Sequence, residues 1–177
     1  MKYSINAKTD VFKGHAFDVQ KLSVTLPDGR VRNYDLVNHR NSATIIPVED
    51  NGDIWFVEQY RMGSENILLE LPAGVIDCDE TPEACATREV REEIGFAAGK
   101  MTLLGSIYLA PGYSNEINYI FLAKNLTHNP LQQDEDEFLS VKKIAEKDIN
   151  ELISSGKLQD SKSLAALLIY QQKQNET

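Results

Sequence analysis

Residues 74–96 constrain this chain more than any other segment. They lead from a loop into a helix-forming stretch in which Glu89, Glu92 and Glu93 stand at positions i, i+3 and i+4. At about 100° per residue, these three side chains point to the same flank of a helix. Like charges at this spacing repel one another, so the helix gains nothing from them by itself. The spacing therefore indicates a site for a hard cation such as Mg²⁺, which prefers carboxylate and carbonyl oxygens.

The same segment carries the signals that define a helix over residues 82–94. Thr81 can cap its first turn, Pro82 suits the first helical position, and Gly95 can end it. A stripe of apolar residues runs beside the glutamates at helical spacing: Ala86, Val90 and Ile94. Packed on a core, this stripe would hold the carboxylates in place.

The whole chain of 177 residues is long enough for one well-packed domain with a modest extension. Its formal net charge of −9 provides no basic surface for a phosphate backbone, which argues against a nucleic-acid substrate. No apolar run approaches the roughly 18 residues of a membrane span, and the amino terminus lacks the apolar core of a signal peptide. We therefore predict a cytoplasmic protein. Cys78 and Cys85 are predicted to be free thiols, with no metal role.

Extended and helical patterns alternate along the chain and predict an α+β (mixed α/β) fold. Extended runs at 17–26 and 30–37 flank a Pro-Asp-Gly turn and predict a hairpin. Runs at 43–48 and 54–60 predict a second hairpin, buried in the middle of a sheet. Further strands are predicted at 102–109, 117–123 and 137–141, and helices at 82–94, 145–154 and 161–173. We divide the chain into a strand subdomain, 1–41, and a main domain, 42–177.

Nine positions of the central segment match the signature of the Nudix hydrolase family, the Nudix box. They are Gly74, Glu80, Arg88, Glu89, Val90, Glu92, Glu93, Gly95 and Phe96. The chain is identified by them as a member of that family. The resemblance implies an α/β/α sandwich, preceded here by the amino-terminal strands, and metal-assisted hydrolysis of a nucleoside diphosphate linked to a second group.

Three segments outside the box resemble the ADP-ribose pyrophosphatases of the family. They are Glu58-Gln59-Tyr60-Arg61 leading to 69–74, the stretch 111–116 around Pro111, and 156–163 before an apolar helix. The resemblance implies that ADP-ribose is cleaved to AMP and ribose 5-phosphate with two or three Mg²⁺ ions, or Mn²⁺ in their place. Hydrolysis of a GDP- or UDP-hexose, or a sensor that binds a nucleotide without cleaving it, stays open as an alternative.

The resemblance also assigns roles in the box. The carbonyl of Ala73 and the carboxylates of Glu89 and Glu93 resemble the metal ligands, and Glu92 would complete or tune the shell. Arg88 would orient the glutamates by charge-assisted hydrogen bonds, or form only a helix pair with Glu92. Glu80 is expected to stabilise the box and not to bind metal.

Substrate contacts are implied at several further positions. Arg61 resembles the family's diphosphate contact, the alternative being an exposed charge at a strand end. Glu116 would accept hydrogen bonds from ribose hydroxyls, or be a plain loop acid. Pro111 and Gly112 belong to the same substrate-binding loop. Four residues are candidates to contact the base: Phe12, Phe17, His39 and Arg40.

An acidic run at 134–137 resembles the loop that supplies the general base in this subfamily. We predict Glu135 as the base and Glu137 as a further metal ligand, although acidic runs are commonly solvated loops. Residues 1–41 are too few to bury a core of their own, so they must dock on the main domain or on another subunit. Relatives pair through this segment, and we predict a homodimer formed by the amino-terminal strands.

Overall fold

A computed structural model describes residues 1–133 and 138–175. These residues form ten β-strands, three α-helices and a short 3-10 helix, which confirms the predicted α+β class. The chain divides into two compact units. The first comprises Met1–Asn41 and Tyr108–Ile117, and the second Ser42–Ile107 and Asn118–Thr177. The segment Tyr108–Ile117, which the sequence placed in the main domain, thus belongs to the first unit.

The first unit is built on an antiparallel sheet in the order β1-β2-β3. Its strands are β1 (Ser4–Lys13), β2 (Phe17–Thr25) and β3 (Val31–His39). The hairpin between β2 and β3 is confirmed, and Gly29 takes a φ of 86° in its turn. β1 was not predicted because two bulges interrupt its pairing with β2 and so break the alternation of apolar and polar residues. All ten of its residues are exposed in the protomer.

A four-stranded sheet of the second unit has the order β7-β4-β9-β8. Its strands are β4 (Ser42–Pro47), β7 (Ala73–Val75), β8 (Phe96–Tyr108) and β9 (Ile117–His128). β4 lies between β7, to which it is antiparallel, and β9, to which it is parallel. All six residues of β4 are buried, as expected for the middle of a sheet.

A three-stranded antiparallel sheet has the order β10-β5-β6. It contains β5 (Ile54–Arg61), β6 (Asn66–Glu70) and β10 (Leu139–Ile144). The predicted hairpin of 43–48 with 54–60 is therefore wrong. β4 and β5 do not pair as strands, because both edges of β4 are already paired with β7 and β9. A single bridge joins Ile54 of β5 to Val48, the residue after β4.

The helices are α1 (Pro82–Glu93), α2 (Ile149–Ser154), which follows the 3-10 helix Glu146–Asp148, and α3 (Ser161–Asn175). Their predicted positions are confirmed. The Thr81 hydroxyl accepts a hydrogen bond from the Ala84 amide at 3.2 Å, and Gly95, at φ 80°, follows the carboxyl end of α1. Within the described residues, no helix is long and apolar enough to cross a membrane.

Two hydrophobic clusters of the second unit share neighbouring residues of β4 and β5. Ile46 and Phe56 belong to the cluster that packs on α3, whereas Ile45 and Val57 belong to the cluster that packs on α1. Successive side chains of a strand point to opposite faces, so each strand serves both clusters. The cluster on α1 fixes the helix that carries the box glutamates.

Candidate functional site

The box helix α1 buries its apolar stripe and holds two of its glutamates at the edge of the core. Ala86 and Val90 are fully buried and Ile94 is 6% exposed. Glu89 is 6% exposed and Glu93 only 2%. Carboxylates are rarely buried to this extent without a charged or hydrogen-bonding partner. The helix therefore presents acids that need positive charge or donors beside them.

The short strand β7 supplies part of what these acids contact. The backbone amide of Ala73 donates a hydrogen bond to Oε2 of Glu93 at 3.0 Å. Gly74 lies so close to Glu89 that a Cβ at this position would stand 1.7 Å from Oε1 of that carboxylate. Any larger residue at position 74 would therefore require the Glu89 carboxylate to move. The first glycine of the box is thus a packing requirement of the carboxylate it faces.

The guanidinium of Arg88 donates hydrogen bonds to three carboxylates of the box. Arg88 donates through Nε and Nη2 to both oxygens of Glu80, at 3.0 and 2.9 Å. Its Nη1 donates to Glu89 at 2.6 Å and to Glu92 at 2.8 Å. Nη2 also reaches the carbonyl of Val75 at 3.3 Å. Arg88 therefore does more than pair with Glu92 along the helix, because it ties the loop, the strand and the helix of the box together.

The ionisation of this group follows from its hydrogen bonds. The pKa of Arg88 is raised, chiefly by its hydrogen bonds to Glu80 and further by the other two glutamates. The pKa of Glu80 is lowered by the same guanidinium. Burial raises the pKa of the neighbouring Cys85 thiol, which stays protonated. Cys85 and Cys78 are both free, as predicted.

The donor set of the box fits a divalent metal ion. The oxygens that line it are carboxylates of α1 and backbone carbonyls of β7, the hard donors that Mg²⁺ prefers. Within residues 1–133 and 138–175, no group of three His, Cys, Asp or Glu side chains is arranged to hold a metal ion as they stand. Arg88 donates hydrogen bonds to both Glu89 and Glu92. Glu93 instead accepts a hydrogen bond from the Ala73 amide.

Arg61, the predicted diphosphate contact, is held by an acid that the sequence did not single out. Its Nε and Nη2 donate to the two carboxylate oxygens of Glu70 at 2.8 and 2.7 Å. Lys162 also donates to Oε2 of Glu70 and pairs with Asp160 at 3.0 Å. Burial acts to raise the pKa of Glu70, but Arg61 and Lys162 outweigh it, so the net shift is downward.

A charge of the box also affects the pKa of Arg61. Hydrogen bonds to Glu70 are the main reason that the pKa of Arg61 is raised, and the charges of Glu93 and Asp160 add to the shift. The Arg61 side chain remains 39% exposed, so part of the guanidinium is accessible to a ligand. One signal could have pointed to Glu70: it is an acid inside the apolar stretch 67–71, which leads directly into the box.

The other predicted substrate residues lie in the first unit. Pro111 and Gly112 form a turn after β8, and Glu116 follows that turn. Oε2 of Glu116 is 3.6 Å from Nδ1 of His39, and Asn115 accepts a hydrogen bond from the His39 amide at 2.9 Å. This loop is therefore attached to the end of β3.

A cavity of about 390 Å³ in the first unit contains three of the four candidate base contacts. Phe17, His39 and Arg40 line it, together with residues of the β1–β2 turn. Phe12, the fourth candidate, is exposed and does not line it. Glu135 and Glu137 lie outside the described residues.

Comparison with known proteins gives consistent results. Residues 38–167 match the family model described as NUDIX domain. An ADP-ribose pyrophosphatase of Bacillus subtilis (strain 168) is 34% identical over 170 residues, which cover 95% of this chain and 92% of the relative. A GDP-mannose pyrophosphatase of Yersinia pestis (strain Pestoides F) is 29% identical over 94% of this chain and 81% of its own.

Among solved structures, the crystal structure of an ADP compounds hydrolase superposes with a TM-score of 0.89 at 25% sequence identity. The match covers 99% of this chain and 96% of that one. This likeness confirms the fold predicted from the sequence.

Proposed function

We propose, because this chain belongs to the NUDIX domain family, that it is a pyrophosphatase that hydrolyses ADP-ribose to AMP and ribose 5-phosphate. The observation that carries the proposal is the cluster of box carboxylates around Arg88, of which Glu89 is buried, beside the backbone of β7. The ADP-ribose pyrophosphatase of Bacillus subtilis, which aligns over nearly the whole chain, supports the substrate.

Hydrolysis adds one water molecule across the diphosphate. The water oxygen bonds to one phosphorus, and the bond from that phosphorus to the bridging oxygen breaks. The bridging oxygen leaves on the other phosphate, and a base takes a proton from the water. Arg61 would hold the diphosphate by the part of its guanidinium that Glu70 leaves exposed. Glu116 and Arg40 would contact the ribose and the base, and Pro111 and Gly112 would shape the substrate loop.

NUDIX hydrolases generally depend on divalent metal ions. We assign the cofactor as Mg²⁺, or Mn²⁺ in its place, at two or three ions per site. Its ligands would be the carbonyl of Ala73 and the carboxylates of Glu89, Glu92, Glu93 and Glu137. Such ions neutralise diphosphate charge and lower the pKa of bound water. In the loaded site, Glu80 would keep Arg88 anchored and so leave the other glutamates available.

Glu135 is proposed as the general base, because the box carboxylates are committed to metal and the run at 134–137 is the other dense source of acids in the sequence. Glu135→Gln should lower kcat by about 10²- to 10⁴-fold, the range that general-base catalysis supplies, with little change in KM. Asp134→Asn removes a neighbouring charge from the same run and is the matched control. A kcat near that of the unmodified protein for Glu135→Gln would place the base elsewhere.

The decisive experiment is turnover of a substrate panel with Mg²⁺, with products identified by chromatography. ADP-ribose should give the highest kcat/KM, and excess chelator should abolish it. The GDP-mannose pyrophosphatase relative favours nucleoside diphosphate hexoses as the second candidate class. A higher kcat/KM for GDP-mannose would replace the substrate but keep the chemistry. Tight binding without turnover of any compound would identify a sensor.

We also propose a homodimer formed through the amino-terminal strands. β1 leaves Ile5, Val11 and Phe12 each 56% exposed, which is a large apolar surface for one strand of a protomer. A second copy of the chain would cover it. The two free thiols agree with a reducing compartment, and we propose the cytoplasm.

A further inference from the structure

The amino-terminal end of α3 is hydrogen-bonded to the segment that leads from β6 into the box. Asp160 precedes the helix, and its Oδ2 accepts a hydrogen bond from the Ser163 amide at 2.9 Å. The Ser163 hydroxyl also donates to that carboxylate and accepts from the backbone amide of Leu71 at 2.7 Å. Ser163 is completely buried. The helix start and the segment after β6 are therefore joined away from solvent.

The segment from Glu70 to Ala73 is attached to the rest of the second unit at every residue. Glu70 binds Arg61 and Lys162. The Leu71 amide binds Ser163, the Pro72 carbonyl accepts from the Ile45 amide at 2.8 Å, and the Ala73 amide donates to Glu93. Side chains outside the box, those of Arg61, Lys162 and Ser163, thus help to set the position of the segment that leads into β7.

The charged side chains around Glu70 form a cluster whose formal charges sum to zero. Glu70, which is 1% exposed, and Asp160 supply two negative charges, and Arg61 and Lys162 supply two positive ones. Lys162 is the one member that contacts both acids, with a side chain only 14% exposed. Removing it would leave the two acids with a single cation, Arg61, whose side chain is 39% exposed. Glu70 is buried, and a buried charge that loses a partner is strongly unfavourable. Arg61 would then be the one cation of this cluster left to neutralise the two acids.

We propose that Lys162 and Glu70 are positioning residues, which hold the Arg61 guanidinium in the orientation that binds the diphosphate. Lys162 fixes Glu70 from the side of α3, and Glu70 fixes Arg61 through two parallel hydrogen bonds. Neither touches the substrate in this role. The proposal rests on the proposed function, because Arg61 is the diphosphate contact there.

A double-mutant cycle tests whether Lys162 affects substrate binding through Arg61. Lys162→Met keeps the length of the side chain and should raise KM for ADP-ribose about tenfold while kcat changes by less than about threefold, a coupling typical of residues in one hydrogen-bond network. In an Arg61→Ala background, the same change should alter kcat/KM by less than about twofold. Lys162→Arg, which keeps the charge, should recover most of the loss. Lys142→Met is the matched control, because Lys142 pairs with Glu58 at 3.3 Å on an exposed surface.

Equal effects of Lys162→Met in both backgrounds, or an unchanged KM, would overturn the proposal. So would a Lys162→Arg variant as impaired as Lys162→Met. A second measurement does not depend on turnover. In ¹⁵N-arginine-labelled protein, the Nε–H signal of Arg61, identified by its loss in Arg61→Ala, should exchange with water slowly. Its exchange should become at least about tenfold faster in Lys162→Met and in Glu70→Gln, as expected when a hydrogen-bonded group is released to solvent.

The two measurements separate the inference from the proposed function. If the unmodified protein does not hydrolyse ADP-ribose, the proposed function fails, while the exchange of Arg61 still shows whether Lys162 and Glu70 hold it. If the protein is active but the Arg61 exchange rate is the same in all variants, the positioning role fails and the proposed function stands.

Discussion

Glu89 and Gly74 occupy one small volume at the centre of the candidate site. A Cβ at position 74 would overlap the Glu89 carboxylate, so the preference for glycine comes from the acid that it faces. The same acid is held by Arg88 from the other side. At the scale of single residues, the site is therefore fixed by contact in two directions, and small changes on either side are expected to have large effects.

Gly74→Ala should destabilise the fold by about 1–3 kcal/mol, as overpacked sites do, and lower kcat/KM by about 10²-fold because the Glu89 carboxylate must move. Gly105→Ala is the control, since a Cβ there meets no atom within 4 Å. Urea unfolding and steady-state kinetics on both variants check this expectation. Equal behaviour of the two variants would show that the carboxylate can move without cost.

Glu89→Gln and Glu93→Gln should each lower kcat by at least about 10²-fold, because each keeps its shape and loses the charge that a metal ligand needs. Both variants should fold. Glu83→Gln, an exposed position in the first turn of the same helix, should retain normal kinetics. If melting temperatures fall steeply while activity per folded molecule is kept, these glutamates have a structural role only.

The box residues could be predicted because their arrangement depends on one helix. The spacing of Glu89, Glu92 and Glu93 along the sequence determines which way they point, whatever the rest of the chain does. Lys162 could not be found in this way. It meets Glu70 across 92 residues of sequence, and only the packing of α3 brings the two together. Tyr60, which ends a run predicted to lie buried in the middle of a sheet, is 49% exposed.

At the scale of elements, predictions from local pattern succeeded where the neighbour in sequence is also the neighbour in space. The hairpin of β2 and β3 is such a case. β4 and β5 are adjacent in sequence and equally apolar, but β4 pairs with the distant strand β9 and the short β7. Nothing in the hydrophobic pattern of 43–48 distinguishes a hairpin partner from a parallel one.

The contact of β6 with α3 through Glu70 should give the protein a characteristic dependence on pH. The pKa of Glu70 in the fold is lowered from its ordinary value of 4.5, so its stabilising contribution is complete above that value and is lost as the pH falls through the lowered pKa. Glu70→Gln should cost about 3 kcal/mol at pH 7, as removal of one partner from a buried ion pair does.

Urea unfolding of the unmodified protein and of Glu70→Gln, measured from pH 7 to pH 3, checks this. The difference in free energy of unfolding should be constant down to about pH 5 and should shrink below it. A difference that stays the same over the whole range would mean that the charge of Glu70 does not contribute. Glu58→Gln, at a partly exposed acid on β5, is the control.

At the scale of the whole molecule, the exposed apolar residues of β1 support the proposed dimer. Ile5→Asp should shift the sedimenting species from about twice 19.9 kDa toward the monomer, because a charge cannot be buried there without a partner. Lys8→Asp, on the same strand, should leave the dimer intact. A protein that sediments as a single chain at micromolar concentration without any substitution would refute the pairing. A truncation that begins at Ser42 should be monomeric or insoluble and should bind nucleotide weakly.

The parallel pairing of β4 with β9 has a consequence for how the chain acquires its structure. Ser42 meets Asn118, so 76 positions must be synthesised before the most buried strand of the second unit finds this partner. Closing so long a loop is slow compared with forming a hairpin. Until then the edge of β4 that pairs with β9 remains open to pairing with other strands. We therefore expect refolding from urea to slow at the step that joins β4 to β9, and yields to fall as protein concentration rises.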